Sequence, residues 1–455
     1  MNEKNQQSNS GFRRGQALAA PFFTVLFCLT LLAFLIPLRP TRSETEKRNL
    51  AQFPPFSLES LWSGDWFDGI SLWFSDTFPG REDFIRVNET MEHLHGLQRS
   101  VVSTESVSDR NDNDALDALL EQAEKPAAAP AVPTAEPLPS PEPTVDPNAE
   151  IEEWEGLDAE DEMKMYSSLV MIGGRIFGRT GFSQFNSDRH AQMANRAGDI
   201  YAEHGWRFFN LPVPTSVGVL VASDMLEELQ CADQGKMLRY MFAQENDNVY
   251  KVNCFNELLA HNTEQIYYNT DHHWSALGAY YAYTCFCREA GFEPVPLSEY
   301  EAVNMGEFRG TYYAQLGAVP NVIVDEMIAY VPPGNVHMEI PEYPMFTTPV
   351  VDHTEHSVNS KYNAFIAGDN PLTILTNDDL PDAPDCIVLK DSFGNPFSIF
   401  LTQHYHHVYV LDYRQNSRPL SSFAEEYGVQ DILLVQSISV SQTESALNLL
   451  DGLLK

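Results

Sequence analysis

The spacing of hydrophobic residues changes character several times along the chain, and each change marks a different kind of segment. Residues 17–38 are uncharged and overwhelmingly apolar (ALAAPFFTVLFCLTLLAFLIPL). As a helix this run extends about 33 Å, enough for the hydrocarbon core of a bilayer. It ends at Ile36-Pro37-Leu38-Arg39-Pro40, without the small-residue cleavage site that follows the shorter apolar core of a signal peptide. An uncleaved transmembrane anchor is therefore expected over 17–38. Lys4, Arg13 and Arg14 place residues 1–16 in the cytoplasm, although Arg39, Arg42, Lys47 and Arg48 beyond the span weaken the asymmetry. With no second run of this length, the rest is expected to be extracytoplasmic, held at the cell membrane by a single pass. Residues 41–103 are dense in aromatics (Phe53, Trp62, Trp66, Trp73, Phe74) and read as a juxtamembrane region with an amphipathic helix near 61–74. Residues 104–160 are first Asp/Glu-rich and then Ala/Pro-rich (KPAAAPAVPTAEPLPSPEPTVDP). Such a composition does not bury a core, and a disordered linker with polyproline character is expected there.

From residue 165 onward, short apolar runs alternate with amphipathic stretches to the end of the chain. Strands are predicted at 167–172, 207–213, 249–252, 265–268, 386–389, 407–411 and 432–436. Helices are predicted at 187–204 with Ser187 as N-cap, near 223–244, and at 275–290, 396–403, 420–427 and 443–454. Residues 295–350 are rich in Pro, Gly and Tyr and read as an irregular insertion with short strands. Strands alternating with helices argue for an α/β fold, a doubly wound and mostly parallel sheet covered on both faces. Sites in such sheets form beyond the carboxyl ends of the strands.

Composition narrows the function classes. The chain has 455 residues, 43 % of them hydrophobic and 11 % aromatic, ample for a sizeable core. Lys+Arg number 28 against 64 Asp+Glu, a formal charge of −36. That balance argues against a nucleic-acid binder and an anionic-lipid surface, both of which need clustered cations. A good part of the negative charge falls in 104–160, outside the expected catalytic fold. The six cysteines are too sparse for a disulfide scaffold, and Cys285 and Cys287 would face different directions on a helix.

Two segments carry candidate chemistry. Thr270-Asp271-His272-His273-Trp274 lies between the strand expected at 265–268 and the helix expected from Ser275. An Asp-x-His arrangement suits acyl transfer: the carboxylate holds one imidazole tautomer, and the imidazole takes a proton from a nucleophile. A structural turn is the alternative, with Asp271 as a cap. In Lys390-Asp391-Ser392-Phe393-Gly394-Asn395-Pro396, Ser392 lies on a tight turn between a strand and a helix opened by Pro396. A hydroxyl there sits near backbone N–H groups that stabilise an oxyanion, although Asp391 or Ser392 would also serve as a plain helix cap. Together the segments supply nucleophile, base and orienting carboxylate at strand ends of one sheet. The Gly-x-Ser-x-Gly elbow of α/β-hydrolases is missing. His404, His406 and His407 form a second dense group, but successive strand residues point to opposite faces, so no metal site and no cofactor are expected.

Asp271-His272-His273-Trp274 identifies a resemblance to the bacterial DHHW protein family, supported by FSDTFPGR at 74–81, PVPTS at 212–216, GTYY at 310–313, KDSF at 390–393 and VYVLDYR at 408–414. More distantly the chain is similar to the SGNH-hydrolase-like proteins that O-acetylate alginate, which also carry Asp-x-His-Trp ahead of a nucleophilic Ser. The resemblance implies Ser392 as nucleophile, His273 as base and Asp271 as orienter, with His272 on a variable position. It departs from the SGNH pattern in having Lys-Asp-Ser for Gly-Asp-Ser and no Gly-x-Asn-Asp block. Oxyanion candidates are the backbone N–H of Ser392, an amide near Gly394 and the Arg414 side chain, which has Asp412 and Asp391 as alternative partners. Trp274, Tyr312 and Tyr313 are candidates to stack on sugar rings, with core packing as the alternative. The implied function is a membrane-anchored O-acetyltransferase acting on a polysaccharide acceptor, with a membrane-bound O-acyltransferase supplying the acyl group. A carbohydrate esterase with the same triad, and a non-catalytic glycan-binding or assembly protein, stand beside it.

Overall fold

The computed structural model describes residues 42–43, 48–49, 53, 73, 77, 116–117, 119–120, 146, 149–158, 161–166, 168–316, 320–342, 347–354 and 356–454. The expected cytoplasmic segment 1–16 and anchor 17–38 lie outside these residues, as does all of the helix expected at 61–74 except Trp73. No helix among the described residues is long and apolar enough to cross a membrane. The chain divides into two units. In the first, Met1–Val101, Arg42–Ser43 pairs antiparallel with Arg48–Asn49, and Phe53 meets Trp73 edge-on at 4.9 Å.

An eight-stranded sheet is central to the second unit, Val102–Lys455. In chain order its strands are β1 (Arg207–Val213), β2 (Val249–Lys251), β3 (Val336–Glu339), β4 (Thr347–Thr348), β5 (Leu372–Asn377), β6 (Cys386–Lys390), β7 (His407–Asp412) and β8 (Asp431–Ser437). They lie side by side in the order β4-β3-β5-β7-β6-β8-β1-β2. From β7 to β2 every pairing is parallel. β5, β3 and β4 add an antiparallel margin. The fold is therefore mixed α/β with a large, mostly parallel sheet.

The helices that cover it include α1 (Gln184–Glu203), α2 (Ala276–Ala290), α3 (Gly394–Leu401), α4 (Leu420–Tyr427) and α5 (Glu444–Leu453). Alternation along the parallel strands fills two cores. Phe208, Ile387, Leu389, Ile432 and Leu434 belong to one, with apolar residues of α1, α4 and α5. Phe209, Leu211, Val388, Leu433 and Val435 belong to the other, with Phe286 of α2 and Phe397 of α3. A side chain buried in this way contributes about 1.5–3 kcal/mol, so the run of continuous apolar strands specifies a sheet covered on both sides. Gly291 and Gly428 end α2 and α4 in the left-handed conformation that glycine adopts without strain.

Several expectations are corrected. The strand expected at 265–268 does not join the sheet; its one ladder contact is Tyr267 with Trp274, a few residues on in its own loop. Conversely, β5 has no counterpart among the predicted strands. The strand expected at 167–172 forms as Leu169–Ile172, but in a separate antiparallel sheet with Met163–Tyr166 and Arg175–Gly178, turning at Gly173 and Gly174, both with positive φ. The N-cap of α1 is Ser183, not Ser187, which is buried beside Gln442. The helices expected near 223–244 form as a short 3-10 turn at Ser223–Met225 and an α-helix at Gln234–Ala243, capped by Asp233. The insertion at 295–350 contains a regular antiparallel ribbon, Glu301–Phe308 with Asp325–Val331. Within the stretch expected as a linker, Leu116, Leu120 and Trp154 are buried in the larger core, and the Trp154 indole donates to the Val221 carbonyl at 2.7 Å.

Candidate active site

β6 ends at Lys390 in the middle of the parallel core, and α3 starts at Gly394, leaving Asp391, Ser392 and Phe393 to turn the chain. The Asp391 carboxylate fixes that turn. One oxygen accepts the Phe393 N–H at 2.9 Å, and the other accepts the Ser437 N–H at 2.8 Å from the end of β8. Burial pushes the Asp391 carboxyl up, and the Ser437 N–H, Arg414 and the Phe393 N–H oppose that shift. A Cβ at Gly394 would lie 2.5 Å from Lys390 Cβ, so the close approach of helix to strand requires glycine there.

The histidine segment is a loop folded back on itself. Tyr268 N–H donates to the His273 carbonyl at 3.2 Å, and Ser275 N–H to the Ile266 carbonyl at 2.8 Å. His273 Nε2 stands 2.6 Å from Ser392 Oγ, and His273 Nδ1 stands 2.5 Å from Asp271 Oδ1. The same Asp271 oxygen accepts the His273 backbone N–H at 3.0 Å, and Oδ2 accepts the Thr311 N–H at 2.6 Å and its hydroxyl at 3.0 Å. Four donors therefore hold a carboxylate that is 1 % exposed. Behind it, Asp325 accepts from Asn269 N–H (2.7 Å), Thr270 N–H (2.9 Å) and the Thr270 hydroxyl (2.5 Å). Burial pushes the Asp325 carboxyl up to about 6 despite those bonds. The Tyr362 ring stacks on the His273 imidazole, centroids 3.9 Å apart and planes at 12°, and its hydroxyl donates to the Ser392 carbonyl at 3.1 Å. Asp271, His273 and Ser392 thus form one hydrogen-bonded relay, the arrangement in which an imidazole removes a hydroxyl proton while a carboxylate sets its tautomer.

The DHHW protein family's sequence signature matches residues 46–124 and 155–411. The chain belongs to the DHHW family. It is similar in fold to a DHHW family protein from Eubacterium siraeum, at 22 % identity and a TM-score of 0.59, over 65 % of this chain and 98 % of that one. Weaker likenesses are to Bacillus cereus PatB1 with a sulfonyl adduct (16 % identity, TM-score 0.49, 61 % of this chain and 96 % of that one) and to the O-acetyltransferase domain of Pseudomonas putida AlgJ (13 %, 0.37, 62 % and 98 %). No curated protein matches the chain.

The remaining candidates of this DHHW protein are placed differently from expectation. Arg414 is engaged: its guanidinium binds both oxygens of Asp412 at 2.9 and 2.5 Å and Asp369 Oδ2 at 2.8 Å. Lys390, 1 % exposed, completes the network with its ammonium 2.6 Å from Asp369 and 3.6 Å from Asp412. Burial opposes ionisation of Asp369, but Lys390 and Arg414 hold its carboxyl well below the usual range. Two cations and two carboxylates so brace the strand end beneath Ser392. The Gly394 N–H is also committed, donating to the Asp391 carbonyl at 3.0 Å. Trp274 is fully buried and donates from its indole to the Phe393 carbonyl at 3.0 Å, tying the histidine loop to the serine turn. Tyr312 is 5 % exposed and packs with Leu169, Met171 and Ile176. Neither ring presents a face to a sugar, because each fills a core. Among the described residues the Ser392 N–H has no acceptor.

Asp271, His272 and His273 bring ligand atoms within 4.8 Å of one another, as a metal site would. Their hydrogen bonds instead commit Asp271 to four donors and His273 Nε2 to the serine, while His272 Nδ1 lies 2.7 Å from the Thr311 hydroxyl. Thr311, Asp325 and Tyr362 are functional neighbours that sequence reasoning missed. For Thr311 the GTYY motif was the available signal; Tyr362 and Asp325 reach the site through packing alone.

Proposed function

We propose that this DHHW protein is an extracytoplasmic O-acyltransferase that moves an acyl group, acetyl in the first instance, onto a hydroxyl of a cell-envelope or secreted polysaccharide. The observation that carries the reading is the Asp271–His273–Ser392 relay with contacts of 2.5 and 2.6 Å at the carboxyl end of β6. His273 Nε2 takes the Ser392 proton as Oγ attacks the donor carbonyl, and Asp271 stabilises the imidazolium that forms. The Ser392 N–H faces the developing oxyanion. The leaving group receives the proton from His273, and an acyl-Ser392 remains. An acceptor hydroxyl then loses its proton to His273, attacks the acyl carbon and releases Ser392. Polysaccharide as acceptor is supported by Asp271-His272-His273-Trp274 standing ahead of Ser392, an order that resembles that of glycan O-acetylating proteins. In this scheme residues 17–38 anchor the domain, and a membrane-bound O-acyltransferase hands it the acyl group.

The test is incubation of the protein with a chromogenic acetyl ester. The expected result is a burst of chromophore and an acetyl mass on Ser392, both abolished in Ser392→Ala. Adding an oligosaccharide acceptor separates transfer from hydrolysis: an acetylated sugar supports the transferase, and turnover without it supports a carbohydrate esterase. No acyl-enzyme with any ester would sink the catalytic reading in favour of a glycan-binding role.

A further inference from the structure

A second cluster of ligating side chains lies away from the serine, at the opposite end of the same strands. Asp385 immediately precedes β6, His407 opens β7, and His406 stands just before it. Alternation along a strand would send the two imidazoles to opposite faces. It does not apply here, because His406 lies in the bend before the strand begins. The rings come together instead, with centroids 3.8 Å apart. His407 Nδ1 lies 3.1 Å from Asp385 Oδ1, which also accepts the His407 backbone N–H at 2.8 Å. One ligand atom from each of Asp385, His406 and His407 lies within 4.8 Å of the others, and all three are half-buried. A tetrahedral ion with bonds near 2.0–2.1 Å needs ligands about 3.3 Å apart. Asp385 and His407 are already at that separation, and only His406 has to move.

We propose that Asp385, His406 and His407 form a site for one divalent transition-metal ion, with Zn²⁺ the best match to two imidazoles and a carboxylate. Three protein ligands leave a position for water. The ion joins the starts of β6 and β7, so its role is to clamp the two strands whose far ends carry Ser392 and the Asp412–Arg414 network. When the ion binds through His407 Nδ1, the neutral imidazole carries its one proton on Nε2 instead, and the Asp385 carboxylate turns from ring to metal. The site is independent of the acyl-transfer reading.

The test is equilibrium dialysis of the chelator-stripped full-length protein against Zn²⁺, with melting followed in parallel. The expected result is one Zn²⁺ per chain in the micromolar range and a rise in melting temperature. In His406→Ala and in Asp385→Asn, affinity should fall at least tenfold and the rise should disappear. Using both variants guards against either one misfolding, and circular dichroism without metal shows that each is folded. No binding at about 100 μM Zn²⁺, far above the affinity a three-ligand site supports, overturns the proposal. So does undiminished binding in both variants, which would move the ion to Asp271, His272 and His273.

Discussion

Gly310 offers a sharp test of the relay, because it touches Asp271 without contributing any side chain. A Cβ at this position would lie 2.1 Å from both Cβ and Oδ2 of Asp271 and 2.5 Å from its Cγ. To restore ordinary contact at 3.4 Å the carboxylate has to retreat by about 1.3 Å. Its bonds to His273 Nδ1 (2.5 Å) and Thr311 N–H (2.6 Å) cannot both survive that displacement. A 1 Å misplacement of a catalytic group costs about 10²-fold in rate, and complete loss of the tautomer-setting carboxylate costs about 10⁴-fold. Gly310→Ala is therefore expected to slow acylation of Ser392 by about 10²- to 10⁴-fold, with about 1–3 kcal/mol of destabilisation from overpacking. Thr311→Val keeps the backbone donor and should cost far less, about fivefold for one lost hydrogen bond. The assay is the burst rate with an acetyl ester, with melting curves to show that the variant is folded. A Gly310→Ala protein that acylates at the wild-type rate would refute the claim that the position of Asp271 governs the chemistry.

Other substitutions probe the surroundings. Tyr362→Phe keeps the stack on His273 and loses one bond to a carbonyl that also accepts from Asn395, so the acylation rate should fall less than about fivefold. Tyr362→Leu removes the stack and should cost more than Tyr362→Phe; equal rates in the two variants would show that the ring does not orient the imidazole. Asp325 has a raised folded-state pKa, so the folded protein binds its proton more tightly and stability falls as pH rises from about 4 to about 6, by about 3 kcal/mol for this group. Subtracting the pH-dependent stability of Asp325→Asn from that of wild type should reveal that slope, and parallel curves would disprove it. Lys390→Met leaves the Asp369–Asp412–Arg414 network one positive charge short, and about 3–5 kcal/mol of stability should be lost by denaturant titration. A loss below about 1 kcal/mol, the range of an exposed pair, would mean that Arg414 compensates alone.

The parallel core was legible because its strands are continuous apolar runs. The 207–213 and 407–411 strands appear within a residue of expectation, and so do the helices at 275–290 and 420–427. Ser392, His273 and Asp271 were legible as a group through their motifs, and Ser392 also through its predicted place at a strand end. The 265–268 segment was misread because a short apolar run also fits a loop whose backbone pairs with its own return. For Trp274 and Tyr312 the sequence left sugar stacking and core packing open, because it does not reveal which side of an aromatic is covered. Gly310 meets Asp271, and Tyr362 meets Ser392, across long stretches of intervening chain, and no local pattern reports such contacts.

The place of β8 has a kinetic consequence. It follows every other strand of the sheet in the chain, yet it lies between β6 and β1. Until it inserts, the sheet is two fragments with open edges, and closing the gap requires contacts between distant parts of the chain, which form slowly. The Ser437 N–H that holds Asp391 arrives with that same strand. The serine turn therefore acquires its final shape only once β8 is in place, and a chain in which that strand is unpaired carries a nucleophile that is not yet set.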